Sequence, residues 1–252
     1  MRNPLRYILL GAMALAGMSA LLAQTTPACP PTGVTTYAGP SRAVGNGVAR
    51  TWVSIDNATQ NPVAIGVTLT QEALTGLPAR PTDYTLGFPP QVSSTPFRVF
   101  VLNWYPQGEC PRDTFGAPHF TFNFYTLNDA RRLEMNSDNG RLPLPEYIPQ
   151  GYTAVPGSFA PHMGVRWVNA GAPEFHQAAF TQTLAYGFTN CRMVSVVPMA
   201  SLCFLQSRPN LTACFAQPQQ YLVMGYFPTT YTFQYDCDRN NYTVSLGGML
   251  KH

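Results

Sequence analysis

The side chains best suited to chemistry lie in two short segments of the sequence, one at His119 and one at His162. His119 follows a Gly-Ala-Pro turn and opens the segment HFTFNFY, and His162 lies in PHMGVRW. Two imidazoles and the carboxylate of Glu109 are the donor types of a two-histidine, one-carboxylate site for a divalent first-row metal. The same histidines also suit a structural role, in which hydrogen bonds from their rings fix loops at strand ends. The sequence leaves both alternatives open, because it does not show whether the three side chains meet.

Three further polar residues accompany these donors. Asn123 and Tyr125 alternate with phenylalanines after His119, and Arg166 follows His162 in the same segment. A fixed guanidinium charge opposes the approach of any cation, so Arg166 argues against a tightly held metal. The predicted polar site consists of His119, His162, Glu109, Asn123, Arg166 and Tyr125. No catalytic residue is assigned, because the sequence lacks a nucleophile elbow, a phosphate-binding loop and a zinc-protease motif.

The segment 119–125 carries the clearest strand pattern in the chain. Its phenylalanines occupy every second position, and polar residues or tyrosine occupy the positions between them. Successive side chains of a strand point to opposite faces of the sheet. The pattern therefore predicts one face in the core and a second face, with His119 and Asn123, that is available for chemistry.

The composition and the positions of turn-forming residues predict a mainly β protein. Charged residues make up only 11% of the chain, which contains 20 glycines and 24 prolines, and this balance favours strands and turns over long surface helices. Further strands are predicted at residues 48–55, 63–69, 97–104, 182–188, 192–197, 219–226, 231–235 and 242–246. Residues 71–77 and 128–135 are predicted to be helical, and 82–96 and 141–157 to be loops. The spacing indicates an antiparallel β sandwich or barrel with one or two short helices.

The first 23 residues have the pattern of a secretory signal peptide. Arg2 and Arg6 precede an uncharged apolar run over residues 8–22, and Ala23 offers a small residue for cleavage. A membrane anchor is the alternative, but the run is shorter than the roughly 20 residues that a spanning helix needs. The sequence thus predicts a periplasmic or extracellular protein with a signal peptide at 1–23, an N-terminal extension at 24–44 and a single β-rich domain at 45–252.

The cysteines fit export. All 6 lie beyond the apolar segment, and an even number of cysteines in an exported chain indicates disulfides. Cys203 and Cys214 are the predicted pair, because residues 207–210 between them form a predicted turn that returns the chain. A second disulfide is expected among the remaining cysteines, which have no assigned partners: Cys29, Cys110, Cys191 and Cys237.

Charge excludes two classes of partner. Once Arg2 and Arg6 leave with the signal peptide, basic and acidic residues nearly balance. A nearly neutral chain has no electrostatic footprint for nucleic acid or for an anionic membrane surface. After cleavage we therefore expect no nucleic-acid partner and no membrane association.

Four motifs occur in one order along the chain. They are GECP at 108–111, PHFTFNFY at 118–125, HMGVRW at 162–167 and VPM at 197–199, and they follow the segment 45–78. In these segments the chain resembles an uncharacterised family of exported bacterial β proteins, a domain of unknown function best known from a Thermus protein under sigma-E control, with motifs PHFDFHFY and HMGxHW. The resemblance implies a β fold and a homo-oligomer, and it implies no activity.

The departures from the family motifs concern residues of the types that bind metals. The family has histidine or an acidic residue at five positions occupied here by Glu109, Thr121, Asn123, Arg166 and Val197. His119 and His162 are the motif histidines that this chain keeps. Two histidines without further donors bind zinc weakly, so the resemblance implies a metal site that has largely been lost.

Two functions from different classes follow. The first is a non-enzymatic exported protein, without a cofactor, that self-associates or holds a ligand through aromatic anchors such as those of protein interfaces. The second is a metal-binding protein or metal-dependent enzyme with a diverged site at His119, His162 and Glu109 and a divalent metal as cofactor. Bound metal would distinguish them, and we favour the first.

Overall fold

The computed structural model describes residues 33–252, in which two antiparallel sheets pack against each other. In spatial order the first sheet consists of β1 (Val34–Val44), β2 (Gly47–Asp56), β3 (Pro62–Thr70), β14 (Asn241–Gly247), β13 (Thr230–Asp236) and β11 (Asn210–Cys214). The second consists of β4 (Thr82–Gly87), β5 (Val99–Tyr105), β6 (His119–Tyr125), β10 (Arg192–Ser201), β9 (Gln182–Thr189), β8 (Val165–Asn169) and β7 (Tyr152–Ala154). A separate pair is formed by β12 (Tyr226–Phe227) and β15 (Leu250–Lys251). Neither sheet closes on itself, so the predicted sandwich is confirmed and the barrel alternative is not.

The helical segments are short. The α-helices are α1 (Arg112–Phe115), α2 (Asp129–Leu133) and α3 (Leu202–Gln206), and 3₁₀ turns occur at Gln71–Leu74, Pro90–Ser94, Pro145–Tyr147 and Pro173–Phe175. The helix predicted at 128–135 is confirmed as α2. It begins after Asn128, whose side chain caps it by accepting a hydrogen bond from the Arg131 N–H at 2.9 Å. The predicted helical turn at 71–77 is confirmed over its first four residues. Of the helices in residues 33–252, none is long and apolar enough to cross a membrane.

The core between the sheets is built on the aromatic face of β6. Phe120 packs against Trp104 with ring centroids 4.7 Å apart, and Phe122 packs against Phe233 of β13 at 5.8 Å. Phe120, Phe122 and Phe124 have no exposed surface. Burying a phenylalanine side chain stabilises the fold by about 1.5–3 kcal/mol relative to exposure. The alternation visible in the sequence therefore identifies side chains whose burial contributes a large part of the hydrophobic stabilisation of the fold.

The opposite face of β6 is buried as well, which corrects the prediction that it is available for chemistry. His119, Thr121 and Tyr125 have no exposed surface, and Asn123 is 2% exposed. The connection that contains α1 and residues of the 155–180 region cover this face. Their apolar side chains form a second, smaller core with the sheet: Phe115, Val155, Val168, Phe180, Val197 and Met199. Long connections, rather than the strand pattern, keep solvent from these polar residues.

Several segments differ from the sequence prediction, and residues 152–154 of the predicted loop 141–157 also form a strand, β7. Residues 34–44, assigned to an N-terminal extension, form β1, which pairs with β2 despite an irregularity between Ala38 and Ser41. Residues 82–87, assigned to a loop, form β4, and the prolines on either side are compatible with a strand at the edge of a sheet. Residues 219–226, assigned to a strand, form a loop up to Tyr226, because Gln220 and Gly225 bond to other segments instead of to a sheet.

No disulfide joins the described cysteines. Cys203 and Cys214 are both free and exposed, contrary to the predicted pair. Cys203 lies in α3, whereas Cys214 ends β11 and is bound into the sheet opposite Thr230 of β13. The other free cysteines of the described region are Cys110, Cys191 and Cys237. The predicted signal peptide at 1–23 and Cys29 lie outside the described residues.

Candidate functional site

Three of the predicted site residues, Glu109, His119 and Arg166, meet in one buried ion-pair cluster. Oε1 of Glu109 lies 2.7 Å from Nη1 of Arg166 and 3.1 Å from Nε2 of His119. The side chains of Arg166 and Glu109 are 11% and 16% exposed. Glu109 lies in the connection after β5, His119 opens β6, and Arg166 lies on β8, with β10 and β9 between the two strands. The cluster therefore ties a covering connection to two separated strands of the second sheet.

His119 is held at both ring nitrogens. Nδ1 lies 2.8 Å from the carbonyl oxygen of Ala117, which can only accept a hydrogen bond, and Nε2 lies 3.1 Å from the Glu109 carboxylate. Aromatic rings enclose the imidazole, since Tyr105 stacks on it at 5.2 Å and Phe180 meets it edge-on at 5.5 Å. His119 can bind a metal only by breaking one of these two contacts.

Glu109 is the charged centre of the cluster. Burial raises the pKa of the Glu109 carboxyl, but the Arg166 guanidinium and the hydrogen bond from His119 outweigh burial and hold this pKa below its ordinary value. The carboxylate is therefore ionised at neutral pH and compensates the charge of Arg166. Glu109 and Arg166 therefore form a structural ion pair, because each charge is held by the other.

A second polar network lies on the same face, and its central residue, Asn103 of β5, was missed by sequence reasoning. Oδ1 of Asn103 accepts hydrogen bonds from the Thr121 hydroxyl at 2.8 Å and from Nδ2 of Asn123 at 2.6 Å. Nδ2 of Asn103 donates to the Asp83 carboxylate at 2.6 Å. The predicted site residue Asn123 thus helps to join β4, β5 and β6. The available signal was an asparagine inside the otherwise apolar strand VFVLNWY.

The last two predicted site residues, Tyr125 and His162, share a different neighbour. The guanidinium carbon of Arg132 lies 5.6 Å from the centre of the Tyr125 ring, and Nη1 of Arg132 donates to the His162 carbonyl at 3.4 Å. The backbone of His162 has a positive φ of 66°, and its N–H donates to the Met135 carbonyl at 2.7 Å. Burial raises the pKa of the Tyr125 hydroxyl, which is buried without a hydrogen-bond partner. Both residues support loop packing around α2.

The predicted metal ligands do not form a ligand set. Glu109 and His119 touch, but residues 33–252 contain no group of three or more His, Cys, Asp and Glu side chains placed to hold a metal. The contacting atoms of Glu109 and His119 are engaged with each other, and Arg166 supplies the positive charge that a metal would bring. The residues present fit a salt-bridged cluster and do not fit a metal centre.

A cavity of about 190 Å³ opens beside the ion-pair cluster. Glu109, Asn123 and Arg166 line it together with Ser195 of β10. The Ser195 hydroxyl is buried without a partner, and Gly187 makes room for it, because a Cβ at Gly187 would collide with Ser195 Oγ. Typical ligand sites are larger, roughly 300–1,000 Å³, so this cavity suits water or a very small polar molecule.

The comparison with known families bears on the segment just before this site. Residues 58–104 match the TTHB210-like family model, which carries the description hypothetical protein TTHB210. Over this segment the chain is similar to TTHB210-like proteins. The matched residues contain all of β3, all of β4 and most of β5, and therefore contribute to both sheets. The match ends before Glu109, so the parallels at the site motifs stay predictions. No curated protein and no solved structure matches the chain.

Proposed function

We propose that this chain is an exported, non-enzymatic protein that assembles with copies of itself. The ion-pair cluster supports the non-enzymatic part of the proposal. His119 and Glu109 satisfy each other inside the protein, and Arg166 neutralises the carboxylate. An enzyme of the predicted metal-dependent type needs free donors or an unpaired acid or base at this position.

The observation that carries the self-association is an exposed apolar loop at residues 222–224. Met224 is 80% exposed, and Leu222 and Val223 are each 52% exposed. Three successive apolar side chains in contact with solvent are unusual on a monomeric soluble protein and are typical of interaction surfaces. Further exposed leucines in the described region are Leu133, Leu142, Leu144 and Leu250.

The 222–224 loop is anchored at both sides. The Gln220 N–H donates to the Glu146 carbonyl at 2.9 Å. Gly225 and His252 exchange two backbone hydrogen bonds, at 3.1 and 2.9 Å. An anchored loop loses little conformational entropy when it is buried in an interface, which favours association.

An apolar pocket of about 210 Å³ lies at the foot of the 222–224 loop. Leu127, Tyr147, Val194 and Phe227 are among its lining residues, and Leu222 and Val223 of the loop form part of its wall, which leaves Met224 as the residue of the loop outside the pocket. One chain thus carries both an apolar projection and an apolar recess on the same side. A second copy of the chain presents the same pair of features, so the loop of each copy can fill the pocket of the other in a symmetric dimer or in a ring.

Sedimentation velocity of the mature protein purified from the periplasm tests this proposal. We expect an oligomer at micromolar concentration and a shift to monomer in a Leu222→Ser, Met224→Ser double variant. Val63→Ser is the matched control, because Val63 is an exposed apolar residue on β3 of the first sheet, and it should leave the oligomer unchanged. A wild-type monomer at the highest soluble concentration would overturn self-association. The intact mass of the same sample tests export, because it shows whether the first 23 residues have been removed.

A further inference from the structure

The outer face of the first sheet forms an open groove of about 780 Å³. This volume is within the roughly 300–1,000 Å³ of typical ligand sites. The groove crosses the strands from β1 to β13, with residues of β2, β3 and β14 along its floor. It is separate from the ion-pair cluster, which lies on the second sheet, and from the 222–224 loop.

The floor of the groove presents regular rows of polar side chains. Arg50 of β2, Thr68 of β3 and Thr243 of β14 stand directly opposite one another across the three strands. In the next row, Asn241 of β14 stands between Thr70 and Asp236. Neighbouring strands are about 4.8 Å apart, so hydroxyl, amide and charged groups recur at that interval across the groove.

Trp52 supplies a flat apolar surface in the same groove. It stands directly opposite Gly66 of β3, and its indole occupies the space in which a Cβ at Gly66 would lie. One face of the indole therefore lies against the sheet, while the half-buried side chain lines the groove. The other two tryptophans, Trp104 and Trp167, are 4% and 5% exposed and belong to the core.

We propose that this groove binds an oligosaccharide chain. A sugar ring presents an apolar C–H face that packs on the electron-rich face of an indole, and hydroxyl groups at its edge that both donate and accept hydrogen bonds. Trp52 provides the first contact. The rows of Arg50, Thr243 and Asn241 provide the second, with donors and acceptors in two successive rows on one side of a ring placed over Trp52.

The chemistry of the floor favours a neutral glycan over other occupants. Arg50 and Arg239 are accompanied by Asp236, whose carboxylate is 3.3 Å from the Arg239 guanidinium, so the groove has no strong charge of one sign. A nucleic acid or acidic polymer requires a positive surface. A protein interface requires a larger apolar centre than Trp52, Val48 and Ala38 among threonines, serines and charged residues.

Tryptophan fluorescence tests the proposal on the mature full-length protein with cellohexaose, chitohexaose and maltohexaose as probes. Because Trp104 and Trp167 are buried, a change in emission or in acrylamide quenching reports on Trp52. We expect saturable binding of at least one probe. Isothermal titration measures the variants that lack this fluorophore: Trp52→Ala should weaken binding by roughly tenfold or more, as loss of an aromatic stacking platform does, and Trp52→Tyr should restore most of it.

Two further variants keep the test independent of the stability of Trp52→Ala. Arg50→Ala and Thr243→Val leave the indole in place and should each weaken binding several-fold, measured by isothermal titration. Met224→Ser, on the separate 222–224 loop, is the control and should bind as the wild type does, even if it alters the oligomer. The proposal is overturned if none of the probes binds or if Trp52→Ala binds unchanged. It is equally overturned if Trp52 emission changes with protein concentration alone, because a second copy then covers the groove.

Discussion

The outer faces of the two sheets begin from the same sequence pattern and end in different environments. On the second sheet, His119 and Asn123 alternate with core phenylalanines but are buried beneath covering connections. On the first sheet, Arg50 and Thr243 alternate with core residues and line an open groove. Alternation shows which residues share a face. Whether that face meets water depends on the length and apolar content of the connections that cross it.

Replacing an arginine on each face should give the largest contrast. Arg166→Met leaves the Glu109 carboxylate buried without its compensating charge, and we expect a loss of about 3–5 kcal/mol of unfolding free energy. Arg239→Met is the matched change on the open face, where the Arg239 side chain is 79% exposed and its pair with Asp236 should contribute less than about 1 kcal/mol. Urea unfolding measures both. Similar losses for the two variants would contradict the claim that the ion pair on the covered face stabilises the fold more than the pair on the open face.

Asn103→Ala should have the next largest effect. It removes the shared partner of Thr121, Asn123 and Asp83, leaving buried polar groups unsatisfied, and we expect a loss of about 2–3 kcal/mol. Thr232→Ala is the control on the open face, where its hydroxyl lies 2.9 Å from that of Thr212 in an exposed pair, and it should cost under about 0.5 kcal/mol. Thermal and urea unfolding of both variants give the two values. A mild effect of Asn103→Ala would mean that water replaces the lost bonds.

The pH dependence of Glu109→Gln sharpens the comparison further. Because the pKa of Glu109 is lowered in the folded protein, its ionisation stabilises the fold above the unfolded glutamate pKa of about 4.3. That contribution is lost as the pH falls through the folded value. The gap in urea midpoint between wild type and Glu109→Gln should therefore be larger at pH 7 than at pH 3. An equal gap at both pH values would show that ionisation of Glu109 does not contribute to the stability of the fold.

Ser195→Ala should have the smallest effect. The Ser195 hydroxyl has no hydrogen-bond partner in the protein, so its removal should change the unfolding free energy by less than about 0.5 kcal/mol, in either direction. Thr243→Ala on the open face should be equally neutral. A loss of more than about 1 kcal/mol for Ser195→Ala would show that ordered water in the cavity satisfies the hydroxyl.

Much of the fold could be predicted from periodicity. The long central strands, such as β6, β10 and β14, carry alternating or continuous apolar patterns and were found in the sequence. The missed strands are short or lie at sheet edges, as β4, β7 and β11 do. Each of these edge strands pairs on one side only, and its backbone bonds depend on another strand, so local sequence carries little of the signal.

The residues of the candidate site could be predicted from the sequence, but the contacts between them could not. Glu109, His119 and Arg166 were identified by residue type, and the structure brings them together. Their mutual neutralisation depends on the positions of β6 and β8 across two intervening strands. His162 lies elsewhere because its left-handed backbone belongs to a loop packed on α2. The role of Asn103 depends on its register opposite Thr121, which no local pattern gives.

The pairing of β3 with β14 has a consequence for the order in which the protein folds. Residues 64–70 bond to residues 241–247, so the first sheet stays in two pieces until almost all of the described chain is present. Contacts between such distant segments are slow to form, since the long loop between them must close first. Until then β3 has an unpaired edge, which is a template for association with the wrong strand. A truncated or slowly synthesised chain should therefore aggregate through β3, and a holding chaperone should protect it.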